Sequence, residues 1–380
     1  MKTKSLKGTS LDEIRSAVET SISPDFSPNL AMVFLSYKQD IQSVCELLNE
    51  KNIQIFGATT GGEFIDGEIL DGGIVMLLLE LNPSYFSLKF EDKVTGDARL
   101  KSKEMSQELM QDIPKPSFLS MATGLTIDGE LVISGIEAAA GKDTTIFGGM
   151  AGDDLRVQQT YVFSNDGISS QGILILAFDQ TKISMQGRAI NGWKPLGTRK
   201  TITKSEGWWI YEIDHQPALE LVQKFTGNQI KRVDDIDVLS PDESNVFPLQ
   251  LHRNEGNPII RPILLIDWVK GAIKVNGSVS EGNQIQLSLP ADFDIIEEVV
   301  NDCQWVKENE FPEADALIMF SCVGRHAALG PLISEEIEGV RNTYDAPMAG
   351  LFTYGEFGRA THGTHEYHNL TCAWVGLKEK

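Results

Sequence analysis

Arg325 directly follows Gly324 at the end of the apolar run Met319-Phe320-Ser321-Cys322-Val323. A guanidinium at a strand end can grip a ligand carboxylate through two parallel hydrogen bonds. A structural ion pair or a plain surface charge explains the same residue, and the sequence keeps these readings open. Glu63, Asp153 with Asp154, and Glu356 each close a glycine-bearing loop, and Glu356 with Asp153 or Asp154 can form the opposite pole. They can hold an ammonium group, cap a helix or tie down their own loops. Both poles together suit an amino acid.

Cys322 and His326 are four residues apart, and a thiol beside an imidazole can act as a nucleophile pair. No third group that would orient the imidazole is identifiable, and a small residue facing a pocket or core explains Cys322 as well. His362, His365 and His368 recur every third residue and could bind a transition metal or haem iron. No carboxylate–histidine arrangement completes a metal site there, and the surroundings are polar, so no metal and no haem are expected. Gly61-Gly62-Glu63-Phe64 falls one acid short of a cyclic-dinucleotide cyclase signature. The Gly-Lys ending of 135–142 has the wrong spacing for a phosphate-binding loop.

These residues sit on a repeated scaffold. A short apolar strand over 31–36 precedes a helical stretch over 41–49, whose Ile41, Val44, Cys45 and Leu48 fall at helical spacing. A second strand over 53–56 runs into Gly57-Ala58-Thr59-Thr60-Gly61-Gly62-Glu63, and a third spans 74–79. The order returns from Phe118-Leu119-Ser120, through Gly148-Gly149-Met150-Ala151-Gly152-Asp153-Asp154, to a strand over 173–178. It returns again from Phe320-Ser321-Cys322, through Gly350-Leu351-Phe352-Thr353-Tyr354-Gly355-Glu356, to a strand over 370–375. The segments starting at Phe34, Phe118 and Phe320 are therefore expected to superpose. Glycines in such loops allow close backbone approach at strand ends, where ligands bind. An antiparallel meander is expected over 259–269, 272–275 and 284–289, with a turn at Asn276-Gly277.

The 380 residues carry 33 basic and 54 acidic side chains, a net charge of −21. That balance repels phosphate backbones and anionic membranes, so neither nucleic acid nor membrane is an expected partner. The longest apolar run, 74–79, is of strand length. The basic start meets Asp12 and Glu13 without an apolar stretch, so no signal peptide is expected and the expected compartment is the cytoplasm. Four cysteines, at 45, 303, 322 and 372, form no C-x-x-C pair.

The three Gly-to-acid segments, with Ser321-Cys322-Val323-Gly324-Arg325 and His368-Asn369-Leu370-Thr371, resemble the FIST family, a two-part sensory module of bacterial signal transduction. The resemblance covers about 30–375, and Gly350–Glu356 is its most specific part. It implies a FIST N domain over 1–213 and a FIST C domain over 214–380. It also implies small-ligand binding, amino acids among the ligands, and an output partner such as a histidine kinase or cyclic-dinucleotide enzyme. Because no kinase, cyclase or receptor segment accompanies the match, a stand-alone sensor acting on a separate protein is expected. The expected fold is α+β: mixed sheets covered by helices, with the strand–helix–strand unit repeated. The expected ligand-binding residues are Thr59, Gly61, Glu63, Gly149, Asp153, Asp154, Cys322, Arg325, Tyr354, Glu356, His368 and Asn369. A non-catalytic role is expected; the alternatives are a haem-based nitric oxide sensor, as some family members are described, and a Cys322-dependent hydrolase or transferase.

Overall fold

In the computed structural model, which describes all residues except 227–229, 246 and 255, the apolar runs become the central strands of three mixed sheets. Leu30–Leu35 pairs in parallel with Gln54–Thr59, Pro116–Ala122 with Ile146–Met150, and Ala316–Cys322 with Met348–Thr353. The connecting helices are Ile41–Glu50, Gly129–Ala140 and, in the third copy, Val323–Leu329 followed by Ile333–Tyr344. Side-chain caps start several helices: Asp40 accepts from the Ser43 N–H and Asp128 from the Glu130 N–H. An antiparallel strand lies on the outer side of each pair: Ile74–Glu80, Ile173–Asp179 and Cys372–Glu379. Beyond it, at one edge of each sheet, lie Lys2–Gly8, Phe86–Glu91 and Ile183–Ile190. The fold is α+β, as expected.

Alternate residues on each strand face opposite layers. Met32 and Phe34, Leu119 and Met121, and Ile318 and Phe320 meet in one central core shared by all three sheets. The other faces carry helices. Val44 and Leu48 cover the first sheet, Leu109 and Ile136 the second, and Val299 and Ile337 the third.

The strand–helix–strand unit recurs three times, but Phe118 does not match Phe34 and Phe320. Leu35 pairs with Thr59, Ala122 with Met150 and Ser321 with Phe352, so Met121 occupies the place of Phe34 and Phe320. Phe118, three residues earlier, faces the outer helices.

Each copy hands a hairpin to a neighbouring sheet. Glu63–Ile65 with Glu68–Leu70 extends the third sheet beside Met348–Thr353. Val162–Ser164 with Gly167–Ser169 extends the first beside Gln54–Thr59. Glu356–Arg359 with His365–His368 extends the second beside Ile146–Met150. At each seam a glycine lies opposite a phenylalanine: Gly350 and Phe64, Gly57 and Phe163, Gly148 and Phe357. A Cβ on Gly57 or Gly350 would fall 2.1 or 2.0 Å from the facing ring, so the ring fills the space that glycine leaves.

A nine-stranded sheet is inserted in the third copy, between Ile183–Ile190 and the helix Asp294–Asn309, and has its own core around Ile202, Ile210, Leu249 and Ile263. A boundary after residue 213 passes through this sheet, between Trp209–Ile213 and Ala218–Thr226. The expected meander forms only in part. Ile263–Asp267 pairs with Ala272–Val275, but Gln284–Ser288 pairs with Pro195–Glu206 and Leu249–Leu251. Gly277 does not turn the chain into the next strand of a hairpin; it packs against the Arg261 guanidinium.

Candidate functional site

The seven-residue Gly-to-acid segments leave the ends of the central strands and lock together. Between the first and third copies, the Gly61 N–H donates to the Phe352 carbonyl (2.7 Å) and the Phe352 N–H to the Gly62 carbonyl (2.8 Å). Between the third and second, Tyr354 N–H donates to Met150 (3.1 Å) and Met150 N–H to Gly355 (2.7 Å). Between the second and first, Gly152 N–H donates to Thr59 and Asp154 N–H to Thr60, both at 2.9 Å. This cyclic pattern makes Glu63, Asp154 and Glu356 equivalent. The loops thus meet, but as a sealed knot: Thr59, Thr60, Glu63, Asp153, Thr353 and Glu356 are all 0% exposed.

Burial sets the electrostatics. Glu63 accepts from Thr60 Oγ1 (2.5 Å) and from the Gly73 N–H (3.0 Å), yet burial raises its pKa to about 7. Glu356 accepts from Thr353 Oγ1 at 2.7 Å, and burial raises it well above the ordinary carboxylate range. Asp153 goes the other way. Burial pushes it up, but the Tyr354 hydroxyl and the N–H groups of Val157, Gln158 and Gln159 outweigh that and lower it. It ties down its own loop. Asp154 accepts from Ser36 Oγ at 2.7 Å and is raised by burial. Gly149 pairs opposite Glu356 on the seam.

Arg325 turns away from the knot. Its Nε lies 3.0 Å from both carboxylate oxygens of Glu336, and its Nη2 lies 2.6 Å from Oε2. The remaining donors reach the carbonyls of Asn191 (2.7 Å), Leu370 (3.3 Å) and Ile295 (3.1 Å). The carboxylate it holds belongs to the protein. Cys322 stands at the N-cap position of the next helix without a side-chain capping bond, and burial with the nearby Glu356 raises its thiol far above neutrality. His326 stacks on Phe352 with ring centroids 4.2 Å apart, and burial lowers its pKa.

His368 is paired opposite Glu356 in the hairpin register and directs Nε2 to the Gly358 carbonyl at 3.1 Å. Burial lowers it to about 3. Asn369 Nδ2 donates to the His368 carbonyl at 2.6 Å, leaving its Oδ1 buried and unpartnered among the described residues. The three histidines do not converge: His362 and His365 line one cavity, and His368 is not among its lining. Among the described residues no cluster of three or more metal-ligating side chains occurs.

Beside the knot lies a polar recess of about 420 Å³. Its walls include Glu130, Glu137 and Lys142 from the second copy, Arg253 and Ser278 from the inserted sheet, and Glu366 and Tyr367 from the exchanged hairpin. Arg253 grips Glu366 with two 3.0 Å bonds. Arg261, behind the wall, binds Glu130 (2.5 Å) and the Tyr367 carbonyl (3.1 Å). Tyr367 reaches the knot: its ring covers Gly355 and its hydroxyl lies 3.4 Å from the Tyr354 carbonyl. These wall residues escape sequence reasoning because they are far apart in the chain; Arg253 and Glu366 are separated by 113 positions. The threonine partners of the buried acids were within reach, since Thr60 and Thr353 each stand three residues before theirs.

Comparison with protein families finds the FIST N domain over residues 29–216 and the FIST C domain over 218–359. The junction between them falls inside the inserted sheet. Comparison with curated proteins gives no match. The two domain matches span most of a chain built on interlocked Gly-to-acid loops, and the chain belongs to the FIST family, whose domains are associated with sensory signal transduction.

Proposed function

We propose that the protein is a cytoplasmic sensor that binds a small zwitterion, such as an amino acid, in the polar recess. Its occupied state regulates a separate signalling protein, a histidine kinase or a cyclic-dinucleotide enzyme. The observation that carries the reading is the recess wall, which presents Lys142 and Arg253 together with Glu130, Glu137 and Glu366. The zwitterion logic thus moves from Arg325 to Lys142, helped by the Nη1 that Arg253 does not use on Glu366, for the carboxylate, and to Glu137 for the ammonium. Burial raises Glu137, as expected for a carboxylate short of partners. A ligand there touches both matched segments. Tyr367 carries its effect to the knot, so Thr59, Gly61, Glu63, Gly149, Asp154, Tyr354 and Glu356 act behind the ligand.

The reading is non-catalytic and haem-free. The raised Cys322 thiol stays protonated at neutral pH and is a poor nucleophile. The recess and the cavity at His362 and His365 have charged walls, where a haem takes a large apolar slot. No helix among the described residues is long and apolar enough to cross a membrane.

A thermal-shift screen of amino acids tests the proposal. A ligand at 100 times its Kd stabilises by about 2.7 kcal/mol, a rise on the order of a few degrees. Hits should vanish in Arg253→Gln and persist in a surface control. A screen without hits counts against the amino-acid reading, and a stoichiometric Soret band lost in His365→Ala would favour a haem sensor.

A further inference from the structure

His365 lines the recess and also a second cavity of about 320 Å³, bounded by Gln186, Arg188, Glu310, Arg359 and His362. The imidazole is only 4% exposed; it lies near the Lys142 backbone, but neither ring nitrogen has a hydrogen-bond partner of good geometry among the described residues. Phe147 holds it edge-to-face at 6.5 Å between centroids. Native interiors pair their buried polar groups, so an imidazole with neither nitrogen well paired points to a ligand.

The charge of the second cavity says which kind. Two arginines face one carboxylate, and Arg188 already shares its charge with Glu310 at 2.6 Å. Arg359 is committed, among the described residues, only through Nε to the Gly363 carbonyl at 3.0 Å. The left-handed backbone at His362 (φ 57°) belongs to the turn that places that carbonyl. A cavity with a positive lining is notable in a chain of net charge −21. Arginine's planar fork matches carboxylate and phosphate oxygens, and a neutral buried imidazole supplies a further N–H. Burial, then Arg359, keep His365 neutral by lowering its pKa to about 4.

We propose that this second cavity binds the oxyanion end of a small organic acid, a carboxylate or a phosphate, with Arg359 and Arg188 facing its charge and His365 donating from the buried wall. The volume exceeds that of a bare ion and leaves space for an organic remainder. This site is independent of the zwitterion recess, although one imidazole borders both.

The test is a titration of histidine-15N-labelled protein with acetate, and separately with inorganic phosphate, at constant ionic strength. The His365 ring nitrogens are assigned with His365→Gln. Saturable movement of these signals is expected with at least one probe. Phosphate alone would identify a phosphate ester as the ligand class, and acetate a carboxylate. Arg359→Gln, at an exposed position, should weaken the response tenfold or more, while Arg253→Gln should leave it intact. Absence of saturable movement with both probes, or an unchanged response in Arg359→Gln, overturns the proposal. Loss of amino-acid binding in the thermal screen would not touch it.

Discussion

Glu63 and Glu356 occupy the same place in two copies of one unit, each accepting from a threonine three residues earlier, Thr60 at 2.5 Å and Thr353 at 2.7 Å. Both carboxyl groups are sealed from solvent where an exchanged hairpin leaves its own unit. The third equivalent, Asp154, is only half-buried and accepts from Ser36 instead. The asymmetry follows from the longer loop that Asp153 organises in the second copy.

Glu63 makes stability depend on pH. Its pKa is raised from 4.5 to about 7, so the folded chain holds a proton that the unfolded chain releases. The contribution is full below about pH 4.5, falls as pH rises through 7, and totals roughly 3 kcal/mol. Glu63→Gln should flatten this part of the profile. Urea unfolding of both proteins from pH 5 to 8 checks it, and parallel profiles would refute it.

Arg325 should prove structural. Arg325→Ala strands Glu336 in the interior and is expected to cost about 3–5 kcal/mol. Combining Arg325→Met with Glu336→Met should cost less than either single change. A double-mutant cycle in denaturant reads this directly, and a double mutant less stable than either single mutant contradicts it.

Gly152 permits a close backbone approach between two loops of the knot, since a Cβ there would lie 2.5 Å from the Gly61 nitrogen and 2.7 Å from the Thr60 carbonyl carbon. Backbone cannot swing aside as a side chain can. Gly152→Ala is expected to destabilise by about 1–3 kcal/mol, whereas Gly96→Ala, with open space around its Cβ, tests only the cost of its φ of 94°. Midpoints in urea compare the two.

All four thiols are buried, and burial raises each: Cys45 and Cys303 to about 12, Cys322 and Cys372 well above the ordinary thiol range. Iodoacetamide should therefore leave the native protein unmodified over times that label it fully in urea. Mass spectrometry showing rapid, selective labelling of Cys322 would restore the nucleophile reading.

Much of the scaffold was legible in the sequence. The parallel strands are continuous apolar runs, and the Gly-to-acid segments align residue for residue across the three copies. Hairpin exchange was hidden, because nothing local to Glu63–Ile65 says that its partner is Met348–Thr353. Phe118 misled because a recurring aromatic carries no register; pairing alone shows that it faces the outer helices. Arg325 has the right type and place for ligand binding, but Glu336, eleven residues on, takes its fork.

The exchanged hairpins also bear on how the chain is made. Glu68–Leu70 leaves the ribosome about 280 residues before Met348–Thr353, the strand of the sheet it extends. At 5–20 residues per second, that is a wait of roughly 15 to 55 s. During it Phe64 lacks the glycine face that will accommodate it, and the third sheet cannot be assembled. The nascent chain therefore exposes an unmatched apolar hairpin until Met348–Thr353 has been made.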